Sequence, residues 1–397
     1  MSEQDIDERF LVVGGGIGGL AAALGLSSLG YGVRIFEQSD DFREVGAGIQ
    51  IAPNGRRAIR GLGIEAEFDR YAWRPPALVL RDAFTGKVLT RFPLTDGFQE
   101  KFGDPYSVIH RADLLAILLN ACRSNPRISL ETGSRVVSVR DTESNVSVSL
   151  IGGSQAKGVG LVGADGLWSV VRRTVINDGL PAPPRHVVYR GVIPRTHLPD
   201  DLWSEDVVMW AGPGADFVHY PLRGGELFNL VASFRTDREL DPSEVQGSRA
   251  DLMGPFCGYA PEVLRLLALM NPDRRWLVTD REPVKQWSRG RITLLGDAAH
   301  PMLQYLAQGS CQALEDAVQL TEEVARKPED ISSAFEAYGN ARYLRAARVQ
   351  LTARWFIGVC QAGGLLAEIR AKVFARRSVE QAYDAVAWLY SPDEQFG

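Results

Sequence analysis

The sequence of 397 residues has few cysteines, no long apolar run and no excess of basic charge. Its net charge of −5 argues against a nucleic-acid partner, which usually needs a basic patch. No uncharged apolar stretch reaches the roughly 18 residues of a membrane span, and the acidic residues 1–8 lack the features of a signal peptide. The cysteines lack metal-site spacing and indicate free thiols in a reducing compartment; they are Cys122, Cys257, Cys311 and Cys360. We therefore expect a cytoplasmic protein without a membrane span, a metal site or a nucleic-acid function.

The strongest local pattern is a glycine-rich turn near the N-terminus. Residues 10–19 combine an apolar strand, the glycines Gly14, Gly16 and Gly19, and the start of a helix. Gly14 permits a tight turn, Gly16 lets the backbone approach a pyrophosphate, and Gly19 allows close packing of helix and strand. Glu37 ends a second strand, where an acid accepts hydrogen bonds from ribose hydroxyls. The pattern predicts a dinucleotide-binding βαβ unit; a glycine-rich surface turn is the alternative.

A second motif lies almost 280 residues further along the chain. Residues 292–295 form an apolar strand that ends in Gly296-Asp297, followed by Ala-Ala-His300-Pro301. This motif would return the chain to the glycine turn and offer a carboxylate to a ribityl or ribose hydroxyl. A plain NAD dehydrogenase needs only the first motif, whereas an FAD that threads through the fold needs both. We therefore predict FAD as the cofactor, although Asp297 could instead be a helix cap or turn residue.

The remaining pattern predicts an α/β fold with separated pieces. Period-two stretches predict a hairpin over residues 77–92 and strands over residues 186–234, and one amphipathic helix is expected over residues 249–270. The predicted fold class is a Rossmann-like, glutathione-reductase-like FAD-binding domain with an inserted β-sheet substrate domain and a helical C-terminus. The expected FAD-binding domain comprises residues 1–75, 107–182 and 286–340. The β-sheet substrate domain comprises 76–106 and 183–285, and the C-terminal helical segment 341–397.

Given these motifs, the chain resembles the single-component FAD-dependent aromatic hydroxylases, the group A flavoprotein monooxygenases, over nearly its full length. The resemblance rests on residues 14–19, on Gly163-Ala-Asp165-Gly166-Leu-Trp-Ser169 and on residues 296–301. In that family the middle motif serves both FAD and NAD(P)H. Within the family the chain is most similar to 3-hydroxybenzoate 6-hydroxylases and salicylate hydroxylases, in residues 103–114, 188–191, 219–226 and 303–309.

The resemblance implies an FAD site beside a substrate site. It places Tyr106, Tyr220 and Gln304 around a bound aromatic acid. Where 3-hydroxybenzoate hydroxylases carry a histidine that helps to deprotonate the substrate phenol, this chain has Asp216. Because alternate strand residues face opposite sides, Asp216 should share a face with Tyr220 and not with His219. The implied cofactor contacts are Gly14, Gly16, Ile17, Gly19, Glu37, Arg43, Ala47, Arg111, Val136, Asp165, Asp297 and Gly309.

The implied reaction consumes O₂ and NADH or NADPH. In the family, reduced FAD captures O₂ as a C4a-hydroperoxide, which the aromatic ring attacks more readily once a hydroxyl is ionised. A phenol of pKa about 10 needs a proton acceptor, and the candidates are Tyr220 and Asp216. The leading reaction is 3-hydroxybenzoate to gentisate. The alternatives are salicylate 1-monooxygenation to catechol, with decarboxylation, and hydroxylation of another benzoate or a hydroxypyridine. A homodimer is also possible, because relatives are often dimers.

Several residues and the chain as a whole have plainer interpretations. Tyr106 and Tyr220 could be half-buried sheet residues with satisfied hydroxyls, and Asp216 could lie at a strand end in solvent. The acidic pair Glu315-Asp316 is expected to be a solvated helix turn. The function could also be that of a flavin oxidase or halogenase, or of a nucleotide-binding protein without chemistry. The Trp-x-Trp-x-Ile-Pro element of halogenases does not occur in the sequence.

Overall fold

A computed structural model gives the fold of residues 9–42, 47–142 and 144–392. The strands are β1 (Arg9–Val13), β2 (Gly32–Phe36), β3 (Gly48–Ile51), β4 (Ala77–Asp82), β5 (Val88–Pro93), β6 (Ser107–His110), β7 (Ile128–Glu131), β8 (Val136–Asp141), β9 (Val146–Leu150), β10 (Gln155–Gly158), β11 (Gly160–Gly163), β12 (His186–Pro194), β13 (Val207–Gly212), β14 (Ala215–Leu222), β15 (Leu227–Arg235), β16 (Trp276–Val278), β17 (Ser288–Arg289) and β18 (Ile292–Leu294).

The helices connect and cover these strands. They are α1 (Ile17–Ser28), α2 (Pro53–Gly61), α3 (Glu65–Tyr71), α4 (Asp96–Phe102), α5 (Arg111–Arg123), α6 (Val170–Val175), α7 (Arg249–Met253), α8 (Pro261–Ala268), α9 (Gly309–Arg326), α10 (Ile331–Cys360), α11 (Gly364–Arg376) and α12 (Val379–Tyr390). Short 3₁₀ turns at Gly296–Ala298 and Gln304–Leu306 precede α9.

A six-stranded sheet brings the three glycine-containing motifs together. Its strand order is β17-β18-β11-β1-β2-β7, and β1 pairs in parallel with both β2 and β11. β11 in turn pairs in parallel with β18. The strands that lead into the three motifs are therefore neighbours, and their carboxyl ends meet at one edge, where α/β folds bind ligands. The βαβ unit predicted over residues 10–37 is confirmed.

A seven-stranded sheet with the order β16-β12-β15-β14-β13-β4-β5 forms the second layer. The predicted hairpin is confirmed as the antiparallel pair β4 and β5, and the strands predicted over residues 186–234 are present. Phe217 lies on one face of this sheet within an apolar cluster that includes residues of α7 and α8. Asp216, Val218 and Tyr220 lie on the other face and line a cavity.

The prediction of a single helix over residues 249–270 is wrong. The chain forms α7, then a 3₁₀ turn at Gly254–Phe256, then α8. Gly258 has a positive φ of 82°, and Pro261 begins α8, as proline often does at a first helical position. The apolar residues predicted to form one helix therefore belong to two helices, which glycine and proline residues separate.

Helices dominate the chain from Gly309 onward, as expected. α10 alone extends from Ile331 to Cys360, and α12 packs its aromatic residues Tyr383 and Tyr390 against Phe98 and Phe102 of α4. Within the three described ranges, no helix is long and apolar enough to cross a membrane. The same part of the chain has no group of three or more His, Cys, Asp or Glu side chains able to hold a metal ion.

Candidate active site

A cavity of about 850 Å³ extends from the glycine turn of α1 to the seven-stranded sheet and the C-terminal helices. This volume lies within the range typical of cofactor and ligand pockets. Gly16, Asp297 and Gly309 line one part of the cavity, and Tyr106 and Tyr220 line another. Residues far apart in sequence therefore line one cavity.

The three predicted glycines have separable structural roles. Gly14 has a φ of +104°, and a Cβ there would lie 2.3 Å from the carbonyl oxygen of Ala164. A Cβ on Gly19 would lie 2.0 Å from the carbonyl oxygen of Gly14, so both positions are required by packing. A Cβ on Gly16 would meet no atom within 4 Å and would project into open space. Folding alone does not require glycine at position 16, whereas close approach of a phosphate does, and the cradle therefore fits FAD.

Glu37 holds the glycine turn from the end of β2. Its carboxylate accepts hydrogen bonds from the backbone N–H of Gly15 at 2.8 Å and of Ser39 at 2.9 Å. The side chain is only partly buried, and a carboxylate can accept about four hydrogen bonds. Glu37 can thus stabilise the turn and still accept ribose hydroxyls.

The structure brings together half of the residues predicted to contact FAD. Asp297 is exposed to the cavity at the turn after β18, and Gly309 begins α9 at the same place. The backbone N–H of Arg111 donates to the carbonyl of Ala47 at 2.8 Å, which joins two further wall residues. The predicted residues that line the cavity are Gly16, Ile17, Ala47, Arg111, Asp297 and Gly309.

Other predicted cofactor residues lie behind the wall or outside the described residues. Val136 is buried in β8. Asp165 caps α6, because its carboxylate accepts hydrogen bonds from the Ser169 hydroxyl at 2.5 Å and from the Val170 N–H at 2.7 Å. Burial raises the pKa of Asp165, while its neighbours Ala164 and Gly166 line the cavity. Arg43 falls in the interval 43–46, outside the residues that the structure describes.

Tyr106 and Gln304 both line the cavity, and each has side-chain hydrogen-bond partners. The Tyr106 hydroxyl donates to Gln50 Oε1 at 2.6 Å. Gln304 Nε2 donates to the Ser233 hydroxyl at 2.7 Å, and its Oε1 accepts from Arg190 Nη2 at 3.4 Å. This end of the cavity thus has a cation beside neutral hydrogen-bonding groups.

Asp216 is a buried acid that faces the cavity. It is 2% exposed, and its Oδ1 accepts a hydrogen bond from Gln361 Nε2 at 2.7 Å. Burial raises its pKa to about 7, against the weaker opposing effect of Gln361. The interpretation of Asp216 as a solvent-exposed strand end is therefore wrong.

Tyr220 and His219 lie on opposite faces of β14, as the strand alternation predicted. Tyr220 lines the cavity, and burial raises the pKa of its phenol above the ordinary value. His219 Nε2 accepts a hydrogen bond from Trp210 Nε1 at 3.1 Å on the other face. Burial lowers the pKa of His219 to about 3, so its imidazole is neutral. His219 therefore cannot take the place of the histidine that is replaced by Asp216.

Sequence reasoning missed several residues that line the cavity or contact its lining. Arg190 stands within a stretch that carried the family resemblance, but no role was assigned to it. Gln361 contacts Asp216 across 145 residues of sequence, and no local pattern signals such a contact. α12 adds Trp388, Leu389 and Tyr390 to the wall.

The interpretation of Glu315-Asp316 as a solvated helix turn is wrong. Glu315 accepts hydrogen bonds from the guanidinium groups of Arg342 and Arg345, and Asp316 is fully buried. Asp316 pairs with His300 and with Arg342. Both arginines lie on α10 and neutralise the charges of Glu315 and Asp316. The local sequence does not reveal that α10 contacts α9.

Comparison with known proteins gives a consistent family. The family model described as an FAD binding domain matches residues 8–352. The chain is 40% identical over 390 residues to a 3-hydroxybenzoate 6-hydroxylase of Polaromonas naphthalenivorans (strain CJ2), covering 98% of this chain and 97% of that protein. It is 35% identical to a 3-amino-4-hydroxybenzoate 2-monooxygenase of Streptomyces cremeus, over 88% of this chain and 87% of the relative.

A solved structure agrees with these relatives. HpxO of Klebsiella pneumoniae, complexed with FAD and uric acid, superimposes with a TM-score of 0.85 at 27% identity, covering 97% of each chain. Together with the cradle, the matched FAD binding domain and the named relatives confirm the resemblance inferred from the three motifs. The chain belongs to the FAD-dependent aromatic hydroxylases.

Proposed function

We propose that this chain is an FAD-dependent monooxygenase that consumes O₂ and NADH or NADPH and hydroxylates a small phenolic aromatic acid. The leading reaction is the 6-hydroxylation of 3-hydroxybenzoate to gentisate. The observation that carries the proposal is the single cavity that joins the Gly16 cradle and Asp297 to Tyr106, Tyr220 and Asp216. The name of the relative that is 40% identical over nearly the whole chain supports the same substrate.

The residues proposed to hold FAD surround one part of the cavity. Gly16 leaves room for the pyrophosphate, while Glu37 and Asp297 offer carboxylates to hydroxyl groups. Arg111 adds a cation to the same wall. Bound at these residues, FAD would supply hydride acceptance from NAD(P)H and the activation of O₂ needed to transfer one oxygen atom to the ring. The N-terminus of α9 at Gly309 favours negative charge there, because the first N–H groups of a helix carry partial positive charge.

Three side chains are proposed to hold the substrate carboxylate. Arg190 supplies the positive charge, and Gln304 and Tyr106 supply directional polar groups. The contact between Arg190 and Gln304 orients both toward the same end of the cavity. The apolar wall around them, which includes Val218 and Val231, keeps water away from the reacting ring.

Asp216 is the proposed acceptor of the phenol proton. Tyr220 is a weaker candidate, because its raised pKa keeps the phenol group neutral. A carboxylate with a pKa of about 7 lies closer to that of a phenol, about 10, than an ordinary aspartate does. Proton transfer is more effective when the two pKa values approach each other. Tyr220 then orients the hydroxyl group by a neutral hydrogen bond.

A second candidate substrate is an amino-substituted hydroxybenzoate. The side-chain partner of Asp216 is the neutral amide of Gln361, and a buried carboxylate favours a ring that carries an extra N–H donor. A relative named 3-amino-4-hydroxybenzoate 2-monooxygenase supports this candidate.

A substrate screen tests the proposal. The purified protein is assayed for oxidation of NADH and of NADPH with 3-hydroxybenzoate, 3-amino-4-hydroxybenzoate, salicylate and 6-hydroxynicotinate, and each product is identified by mass spectrometry. We expect one phenolic acid to accelerate nucleotide oxidation and to gain one oxygen atom. The proposal fails if the protein binds no flavin, or if none of these acids is hydroxylated.

We also propose the domain division expected from the sequence, a reducing compartment and a homodimer. Every strand of the six-stranded sheet falls within residues 1–75, 107–182 and 286–340, and every strand of the seven-stranded sheet within 76–106 and 183–285. The four cysteines are free thiols, which supports a cytoplasmic location. Exposed apolar residues on α11 support pairing with a second copy; they are Leu365, Leu366, Ile369 and Val373.

A further inference from the structure

Asp316 is a buried carboxylate for which the proposed reaction has no use. It lies in α9 and is 0% exposed. Its Oδ2 accepts a hydrogen bond from the backbone N–H of Gly296 at 3.0 Å and lies 2.6 Å from His300 Nε2. Its Oδ1 accepts from Arg342 Nε at 2.7 Å. Both oxygens are therefore fixed by three partners from two other segments of the chain, the turn after β18 and α10.

These partners keep the carboxylate charged. Burial alone would raise the pKa of Asp316, but His300 and Arg342 outweigh burial and hold that pKa below its ordinary value. A hydrogen bond to a charged acceptor is roughly twice as strong as one between neutral groups. The bond from Gly296 is therefore a strong link between the turn after β18 and α9.

That turn carries Asp297, which faces the cavity. Gly296 has a φ of +61°, a conformation that favours glycine, and its N–H points to Asp316. On the other side, Arg172 Nη1 donates to the carbonyls of Ala298 at 2.9 Å and Ala299 at 2.7 Å. The turn is thus held by α9 on one side and by α6 on the other.

The same carboxylate belongs to the helix whose N-terminus lines the cavity. Gly309 and Ser310, in the first turn of α9, lie in the same wall as Asp297. A link between Asp316 and Gly296 therefore fixes the Asp297 carboxylate relative to the helix N-terminus. A small displacement of the turn would separate the two groups proposed to contact one cofactor.

We propose that Asp316, acting with His300, is a positioning residue for FAD that holds the Gly296–Ala299 turn against α9. The inference rests on the proposed function, because it assumes that Asp297 contacts the cofactor. Asp316 itself does not line the cavity and acts only through the turn.

Glu315 provides a matched control on the same helix. Its carboxylate is partly buried and, among the described residues, receives hydrogen bonds from Asn54, Gln312, Arg342 and Arg345 but none from the Gly296–Ala299 turn. Glu315→Gln therefore removes a charge from the same network without releasing the turn. Any effect of Asp316→Asn that Glu315→Gln lacks comes from the turn and not from general loss of stability.

The test measures FAD binding to the apoprotein, by quenching of flavin fluorescence, together with the melting temperature of the apoprotein. We expect Asp316→Asn to raise the Kd for FAD at least about tenfold, because it loses a charged hydrogen bond. Glu315→Gln should change the Kd by less than about threefold. It should lower the melting temperature of the apoprotein by about as much as Asp316→Asn does. The visible absorption bands of bound flavin should shift in Asp316→Asn only.

Variants of His300 keep the test decisive if Asp316→Asn does not fold. His300→Gln retains an N–H donor for Asp316, whereas His300→Leu does not. We expect His300→Leu to weaken FAD binding and His300→Gln to restore most of it. The inference is overturned if Asp316→Asn leaves the Kd for FAD unchanged, or if Asp316→Asn and Glu315→Gln change it equally. In either case the proposed function stands as long as the wild-type protein binds FAD. A wild-type protein that binds no FAD overturns both.

Discussion

Two residues with ionisable side chains, Asp216 and Arg190, line the cavity proposed to bind the substrate. Asp216 is buried with one amide donor, and Arg190 lies near Gln304 in the same cavity wall. If the substrate binds there, a carboxyl group and a guanidinium cation in one cavity make binding depend on where the substrate carries its carboxylate and its donor groups. Their effects can be separated, because one governs protonation and the other governs charge attraction.

The burial of Asp216 makes stability depend on pH. Its folded pKa of about 7 lies above its ordinary value of 3.8, so folding favours the protonated form. The burial of Asp216 therefore costs the least folding free energy below pH 4, where the carboxyl group is protonated in both states. This cost grows as the pH rises toward 7. A shift of this size corresponds to about 4 kcal/mol. Asp216→Asn lacks the penalty, and we expect its melting temperature to exceed that of the wild type increasingly between pH 4 and 7.

The exposed residue Asp200 supplies the comparison for that experiment. Asp200→Asn removes one carboxylate from the surface, where its side chain is 94% exposed, and it should leave the pH dependence of melting unchanged. Thermal melts of the apoproteins in a common buffer series measure all three. A constant difference between Asp216→Asn and the wild type across this range would contradict the buried-acid description.

Arg190 should discriminate between charged and neutral substrates. Arg190→Gln removes the cation beside Gln304 but keeps a hydrogen-bond donor, so we expect KM for an aromatic carboxylic acid to rise about tenfold or more. KM for the corresponding carboxamide should change much less. Arg185→Gln, which breaks an exposed pair with Glu239, is the control and should alter neither value. Equal effects of Arg190→Gln on acid and amide would remove the proposed carboxylate contact.

At the scale of elements, the glycines between β1 and α1 have different roles: the structure requires Gly19 for packing, and Gly16 is proposed to leave room for the cofactor. Gly16→Ala adds a methyl group where no atom lies within 4 Å, whereas Gly19→Ala drives one into the carbonyl of Gly14. We expect Gly16→Ala to keep the melting temperature of the apoprotein and to weaken FAD binding. Gly19→Ala should lower the melting temperature by several degrees, as overpacking costs about 1–3 kcal/mol. Comparable melting losses in both variants would show that the cradle serves packing alone.

The local elements were largely predictable because their signals are local. The apolar run before Gly14 and the alternation around Tyr220 each determine one strand and its faces without reference to distant residues. The break in the helix after Ser248 was not predictable, because the apolar spacing continues across Gly254 and Gly258 although the helical backbone is interrupted there. Glu315 and Asp316 were misjudged for a related reason, since the arginines that neutralise them lie on α10.

At the scale of the whole molecule, the cavity depends on contacts that no sequence window contains. The three motif strands β1, β11 and β18 are neighbours in the sheet although long stretches of chain separate them. Gln361 follows α10 and donates a hydrogen bond to Asp216 on the seven-stranded sheet, so the C-terminal helical segment supplies the partner of the buried acid in the cavity. The family resemblance predicted roles for Tyr106 and Gln304, but it did not predict the part of the cavity wall that α12 adds.

That wall leads to a prediction about water exclusion. Arg57 in α2 donates to the carbonyl of Tyr390 at 2.7 Å and to that of Phe102 at 3.2 Å, and so holds the end of α12 over the cavity. Arg57→Leu should loosen α12 and admit water. We expect a larger fraction of the oxidised NADH to yield hydrogen peroxide instead of hydroxylated product, while the Kd for FAD stays within about threefold of wild type.

The exposed pair between Lys101 and Asp384 also links α4 to α12, and it provides the control for Arg57. Lys101→Met should leave the coupling of NADH oxidation to hydroxylation unchanged, because exposed ion pairs contribute about 0–1 kcal/mol. Hydrogen peroxide and hydroxylated product are quantified in the same reaction for each variant. If Arg57→Leu lowers the melting temperature but couples as tightly as the wild type, the end of α12 stabilises the fold without closing the cavity to water.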